Sequence, residues 1–219
     1  MIATLAAALV MQKPNALSGD EKAAGWRLLF DGRSTKGWHN FKTTGVRPGW
    51  KVVDGTLTCV DPHNAGDIVT DEKYDWFELD LDYRLAPGAN SGVMFHVADE
   101  GGVAWASGPE IQLHDRRVSD EPQKSGWLYG LYPASVDATR PEGEWNHLRI
   151  VITPQGCSTE LNGVPYTLFT LGSDDFKARV AKSKFGPMPL FAKTEKGTVA
   201  LQGDHGVVSF RNVKLRPIP

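Results

Sequence analysis

From Asp75 to Leu85 the chain alternates without interruption: Phe77, Leu79, Leu81, Tyr83 and Leu85 fall on one side, and Glu78, Asp80, Asp82 and Arg84 on the other. Successive side chains in extended backbone point to opposite faces, so a period of two predicts a strand with one wholly apolar face. That face has to be covered, and the natural cover is a second sheet. The four charged residues have the composition of a metal site, but such a row more commonly forms a solvated face or an aggregation-resistant edge. Asn146–Ile152 repeats the pattern with Leu148, Ile150 and Ile152 inward.

Turn signals separate further strands. Trp50–Val53 and Thr56–Val60 flank Asp54-Gly55, and Leu161 and Val164 flank Asn162-Gly163, both readings of two-residue hairpins. Trp26–Phe30 is apolar and stops at Asp31-Gly32, and Thr198–Leu201 and Val207–Leu215 close the chain as strands. Ser18 and Glu21 have capping-box spacing before a short helix, and Asp174–Lys184 reads as a second one. With 23 glycines and 14 prolines to make turns, 219 residues give roughly a dozen short strands. The expected fold is all-β, a two-sheet antiparallel sandwich with one or two short helices, and residues 18–219 form a single domain.

Two strands carry chemistry on their polar side. In Gly108–Asp115, Ile111 and Leu113 face one way while Glu110, Gln112 and His114 face the other, about 7 Å apart. In Asn90–Val97, the residues Val93, Phe95 and Val97 form the apolar side, and Gly92, Met94 and His96 share the other. Side by side, the two would make a floor of His and Glu suited to a polar ligand. The stretches 98–109 and 115–127 are loops flanking the central strand, placed to wall such a site.

Other classes are disfavoured. The chain has 24 basic and 26 acidic residues, net −2, with no long block of like charge, so neither nucleic acid nor an anionic membrane is indicated as a partner. No phosphate loop, dinucleotide fingerprint, nucleophile elbow or His-Glu-x-x-His is present. Residues 1–17 read as a leader: the apolar run Met1–Met11 has the length of a signal-peptide core and is too short to span a bilayer as a helix, although it lacks a basic start. Export is therefore expected, with no membrane partner once the leader is removed. Cys59 and Cys157 are the only two cysteines, far apart and without metal-site spacing; one disulfide between them is compatible with export. Nothing in the pattern specifies an oligomer.

An ordered set of short motifs resembles the 3-keto-disaccharide hydrolase family. Leu28-Leu29-Phe30-Asp31-Gly32 with Lys36-Gly37-Trp38 resembles its opening, and Asp75-Trp76-Phe77-Glu78-Leu79, Asn90-Ser91-Gly92-Val93 and Glu110-Ile111-Gln112 with Asp115 resemble its central strands. Gly143-Glu144-Trp145-Asn146 with Leu148-Arg149-Ile150, Leu161-Asn162-Gly163, and Leu201-Gln202 with His205-Gly206 and Phe210-Arg211-Asn212-Val213 complete it. The resemblance runs over about residues 25–215 and implies a concanavalin A-like jelly roll, a sugar site on its concave sheet, a bacterial source and export.

It also implies a reaction. In a 3-keto-glycoside the C3 carbonyl acidifies the C2 proton; a base removes it, and the enolate expels the C1 oxygen by β-elimination. Histidine is the natural base near neutral pH, and His205 and His114 are the candidates, with Glu110 an alternative base or an orienting group. Asn90, Gln112, Gln202 and His96 would bind sugar hydroxyls, Arg211 would stabilise the enolate, and Trp127 and Tyr129 would stack on a sugar face. A conventional two-carboxylate glycosidase would place a second acid on the Glu110 strand, where positions 112 and 114 are Gln and His. No cofactor is required, although His96, Glu110, His114 and His205 would also suit a divalent metal. The competing reading is a non-catalytic carbohydrate-binding jelly roll.

Overall fold

A computed structural model describes residues 13–115 and 124–219. In chain order the strands are β1 (Arg27–Leu28), β2 (Trp38–Asn40), β3 (Trp50–Val53), β4 (Thr56–Cys59), β5 (Ile68–Thr70), β6 (Phe77–Leu85) and β7 (Asn90–Val97). They continue with β8 (Glu110–His114), β9 (Asn146–Ile152), β10 (Cys157–Leu161), β11 (Val164–Phe169), β12 (Thr198–Leu201) and β13 (Val208–Pro217). Antiparallel pairing links them into two sheets. One runs β11-β10-β9-β6-β13-β4-β3 with β1 also on β13; the other runs β2-β5-β12-β7-β8. Most neighbours are distant in sequence, which is the connectivity of a jelly roll rather than a meander.

The apolar row of β6 supplies the middle of the core: Phe77, Leu79, Leu81, Tyr83 and Leu85 are all buried, against Val93, Phe95, Ile111 and Leu113 of the smaller sheet. At roughly 2 kcal/mol per buried side chain, that one row contributes about 10 kcal/mol as an upper bound, so the period-two pattern sets the register of the whole sandwich. Its polar row differs from the expected solvated face or edge. Strand β6 lies between β9 and β13, and its carboxylates are paired across the ladder. Glu78 ion-pairs with Arg149 and Arg216; Asp80 with His147 at 3.2 Å and Lys214 at 3.5 Å; Asp82 with His147 and Arg211, both at 3.0 Å. Hydrogen bonds to Asp80 and Asp82 push the His147 imidazole up to about 9.

Both expected hairpins form, and Asp54-Gly55 and Asn162-Gly163 have positive φ at both positions, as a type I′ turn requires. The first helix, α1 (Gly19–Ala23), carries its capping box: Glu21 N donates to Ser18 Oγ at 3.1 Å and Ser18 N to Glu21 Oε2 at 2.7 Å. The second, α2 (Asp174–Lys182), is capped by Ser173 and anchored by buried Phe176. It stops before Lys184 because Ser183 turns extended, and this release directs Lys184 away from the helix. Cys59 and Cys157 are buried and free, so the disulfide is not made. Of the expected leader, residues 1–12 lie outside the described residues, while Asn15 is tied to the body by bonds to Gly55 and Asn212.

Candidate active site

The site lies on the outer face of the five-stranded sheet, where alternation along β8 places Glu110 and Gln112. Glu110 occupies space that its neighbouring strand leaves empty. A methyl group at Gly92 would sit 2.6 Å from the Glu110 carboxyl carbon, so glycine on β7 is what lets this carboxyl lie down on the sheet. Strand β8 is an edge strand, but its free edge is covered. Tyr129 N donates to Glu110 O, Gln112 N to Trp127 O, Gly126 N to Gln112 O, and the Ser125 hydroxyl accepts from His114 N and donates to His114 O.

Around Glu110 a cavity of about 290 Å³ is lined by Asn90, Trp105, Gln112, Tyr129, Lys184, Phe185, Gln202 and His205. Gln202, just after β12, is fixed through its backbone: its N–H donates to Gly92 O and its carbonyl accepts from the Ser91 hydroxyl. Its side-chain oxygen is buried and has no partner among the described residues. Gln112 Oε1 accepts from Leu113 N at 3.0 Å, which fixes the amide's orientation. Asn90 N donates to His205 O, clamping the 203–206 turn to the start of β7. On that turn Asp204 and the His205 Nδ1 are hydrogen-bonded, leaving the exposed Nε2 of His205 for a ligand.

Electrostatics separate the acids. Burial, reinforced by the charge of Asp67 and opposed by Lys184, pushes Glu110 up to about 8, so it holds its proton at neutral pH. Among the described residues its carboxyl has no ion pair and no hydrogen bond from protein. Asp67, immediately before β5, is pushed up to about 6 by burial and by Asp204, with the Gly203 N–H opposing. One wall is aromatic. The Lys184 ammonium sits 4.3 Å from the Tyr129 ring centre, 5.3 Å from that of Phe185 and 5.6 Å from that of Trp105, and 3.3 Å from the Tyr129 hydroxyl.

The structure thus brings together Glu110, His205, Asn90, Gln112, Gln202 and Tyr129, and places four other expected site residues elsewhere. His114 shares the face of Glu110 but lies beyond the cavity lining; burial holds its imidazole below the usual range. His96 is turned off the floor by a β-bulge, where it has φ of 53° and packs edge-on against Trp76, Phe77 and Phe95 with Nε2 on the Asp75 carbonyl. Trp127 is a core residue. Arg211 is on β13, in the opposite sheet, bonded to Asp82 and stacked 4.1 Å over Trp145. Trp105, Lys184, Phe185, Asp67 and Asp204 were not anticipated; only Trp105 carried a signal, as the aromatic in a loop expected to wall the site. Among the described residues no three His, Cys, Asp or Glu side chains converge as a metal would need.

A jelly-roll sandwich with a buried acid, an imidazole, amides and aromatics in one sheet-face cavity has the architecture of a carbohydrate-active protein, and its relatives are of the glycoside hydrolase type. This chain belongs to the family described as the 3-keto-alpha-glucoside-1,2-lyase-like domain, which it matches over residues 25–216. It is 26% identical to a 3-keto-disaccharide hydrolase of Bacteroides thetaiotaomicron, over 89% of this chain and 79% of that one. A solved structure of a candidate glycosyl hydrolase from Parabacteroides distasonis superposes with a TM-score of 0.86 at 30% identity, covering 94% of this chain and 100% of that one. The Bacillus licheniformis β-glucanase shares the fold alone, with a TM-score of 0.50 at 10% identity over 85% of this chain and 94% of that one.

Proposed function

We propose that this protein cleaves 3-keto-glycosides by removing the C2 proton and expelling the C1 oxygen. The observation that carries the reading is that a buried Glu110 carboxyl, with no counter-ion among the described residues, and an exposed His205 line the same cavity; burial pushes Glu110 up to about 8, which suits it to give a proton. His205 takes the C2 proton on Nε2 while Asp204 holds Nδ1 and the resulting positive charge. The C2–H electrons form the C2–C3 double bond of the enolate as the carbonyl π pair moves onto the C3 oxygen. As the C3 carbonyl re-forms, those electrons make the C1–C2 double bond and the C1–O bond breaks. Glu110 gives its proton to the departing oxygen. The products are a free alcohol and an unsaturated keto-sugar, to which water adds for net hydrolysis. Gln112, Gln202 and Asn90 bind hydroxyls, and Tyr129 and Trp105 offer faces to the sugar. No metal has a role in this scheme.

Family membership and the relative from Bacteroides thetaiotaomicron support the substrate class. The test is release of a chromogenic aglycone from a 3-keto-glucoside and from its unoxidised parent, with and without chelator. Release from the keto sugar alone, unaffected by chelator, is expected. Binding of both sugars with release from neither would instead favour a carbohydrate-binding module. Export belongs to the same proposal; because Asn15 bonds to Gly55 and Asn212, we place the cleavage point before Asn15 rather than after residue 17, which N-terminal sequencing of the exported protein checks.

A further inference from the structure

The reaction proposed above builds a full negative charge on the C3 oxygen, and the cavity floor holds little to receive it. Its amides are neutral donors, and Glu110, Asp67 and Asp204 are acids. Arg211, which the sequence offered for the role, lies across the sandwich on Asp82. One permanent cation lines the cavity among the described residues, and it is Lys184. Its surroundings are unusual for an exposed lysine. Tyr129, Phe185 and Trp105 present their rings to it and the Tyr129 hydroxyl touches it, yet no described carboxylate is within ion-pairing distance. Aromatic faces hold a cation in place without neutralising it, so its charge stays available to an arriving anion. Lys214, by contrast, is spent on Glu21 and Asp80.

We propose that the Lys184 ammonium binds the C3 oxygen of the keto sugar and takes up its negative charge while the C2 proton is on the base. The assignment rests on the elimination reading. It makes the aromatic wall a mount for the cation as well as a sugar platform. In the step, the C2–H bond breaks, its electron pair becomes the C2–C3 double bond, and the carbonyl π pair moves to oxygen beside Lys184. The same electrons then return as C1–O breaks, so no oxidant or reductant is needed.

Two substrates separate this proposal from the one beneath it. A chromogenic 3-keto-glucoside reports the whole reaction. A 3-keto-1,5-anhydro sugar, which has no exocyclic leaving group at C1, reports proton removal alone through loss of the C2 proton signal in D2O. Wild type should do both. Lys184→Met should lower kcat in both assays by roughly 10²-fold with a small change in KM, and Lys184→Arg should recover much of the loss. Glu110→Gln should retain exchange while losing release. If wild type does neither, the elimination reading fails and Lys184 with it. If wild type does both and Lys184→Met matches it, or loses only KM, the Lys184 assignment alone is overturned. Because Lys184 is exposed, these variants should fold as wild type does, which a melting curve checks.

Discussion

Glu78 and Glu110 are buried glutamates on the two sheets of one sandwich, 2% and 9% exposed, and they have opposite surroundings. Glu78 lies between Arg149 and Arg216 on neighbouring strands, and its charge is matched on both sides. Glu110 has a glycine beneath it, an acid as its strongest charged neighbour and, among the described residues, no partner for its carboxyl, so it keeps its proton to about 8. Burial alone therefore does not separate the two acids; the presence or absence of a described counter-charge does. The larger sheet pairs its carboxylates across strands, and the smaller sheet leaves the Glu110 carboxyl without a counter-ion among the described residues.

Exchanging the two residues' roles is the severest test of that contrast. Glu110→Gln should cut aglycone release by 10²- to 10⁴-fold while leaving the melting temperature unchanged or higher, because an uncompensated buried acid is removed. Glu78→Gln should do the reverse, keeping activity and lowering stability by roughly 1–3 kcal/mol, discounted because both arginines are partly exposed. Gly92→Ala should lower activity by at least about tenfold with the fold intact, since the new methyl displaces the Glu110 carboxyl. A crystal structure of the variant would show whether the carboxyl has moved.

The pH dependence sharpens the same point. The folded pKa of Glu110, about 8, lies above its ordinary 4.5. Below about 4.5 both states hold the proton and Glu110 contributes nothing. Between 4.5 and 8 the unfolded chain ionises first, so stability falls with rising pH, and above 8 the loss is complete. The difference in melting temperature between Glu110→Gln and wild type should grow across that window, and aglycone release should decline as pH passes about 8. The smallest effect belongs to Arg211→Ala. Activity should stay within about twofold of wild type, and stability should drop by about 1 kcal/mol through Asp82 and Trp145.

Much of this could be read from the residues alone. The alternation of Phe77–Leu85 and Glu110–His114 announces both sheets, because apolar faces must meet and a period of two leaves no other way to bury them. It also put Glu110 and Gln112 on one face. Alternation fails where the backbone departs from regular pleating. The bulge at His96 turns that ring towards Phe77 and sends Val97 outward beside Met94, the opposite of the simple pattern. Lys184 was illegible for a different reason. It reaches the cavity only because α2 ends before it and the following segment folds back on Tyr129, a tertiary event with no local signature. Asp67 and Asp204 likewise meet the site through the 203–206 turn. Arg211 was misplaced because its motif names a strand but not which sheet the strand joins.

The strap from Ser125 to Tyr129 that covers β8 bears on how this protein behaves in concentrated solution. An uncovered edge strand offers a row of unpaired N–H and C=O groups to which another molecule can add its own strand. Here the strand that carries Glu110 has those groups engaged by its own chain, at Glu110, Gln112 and His114. The cavity can stay open to sugars while the edge beside it is closed to polymerisation.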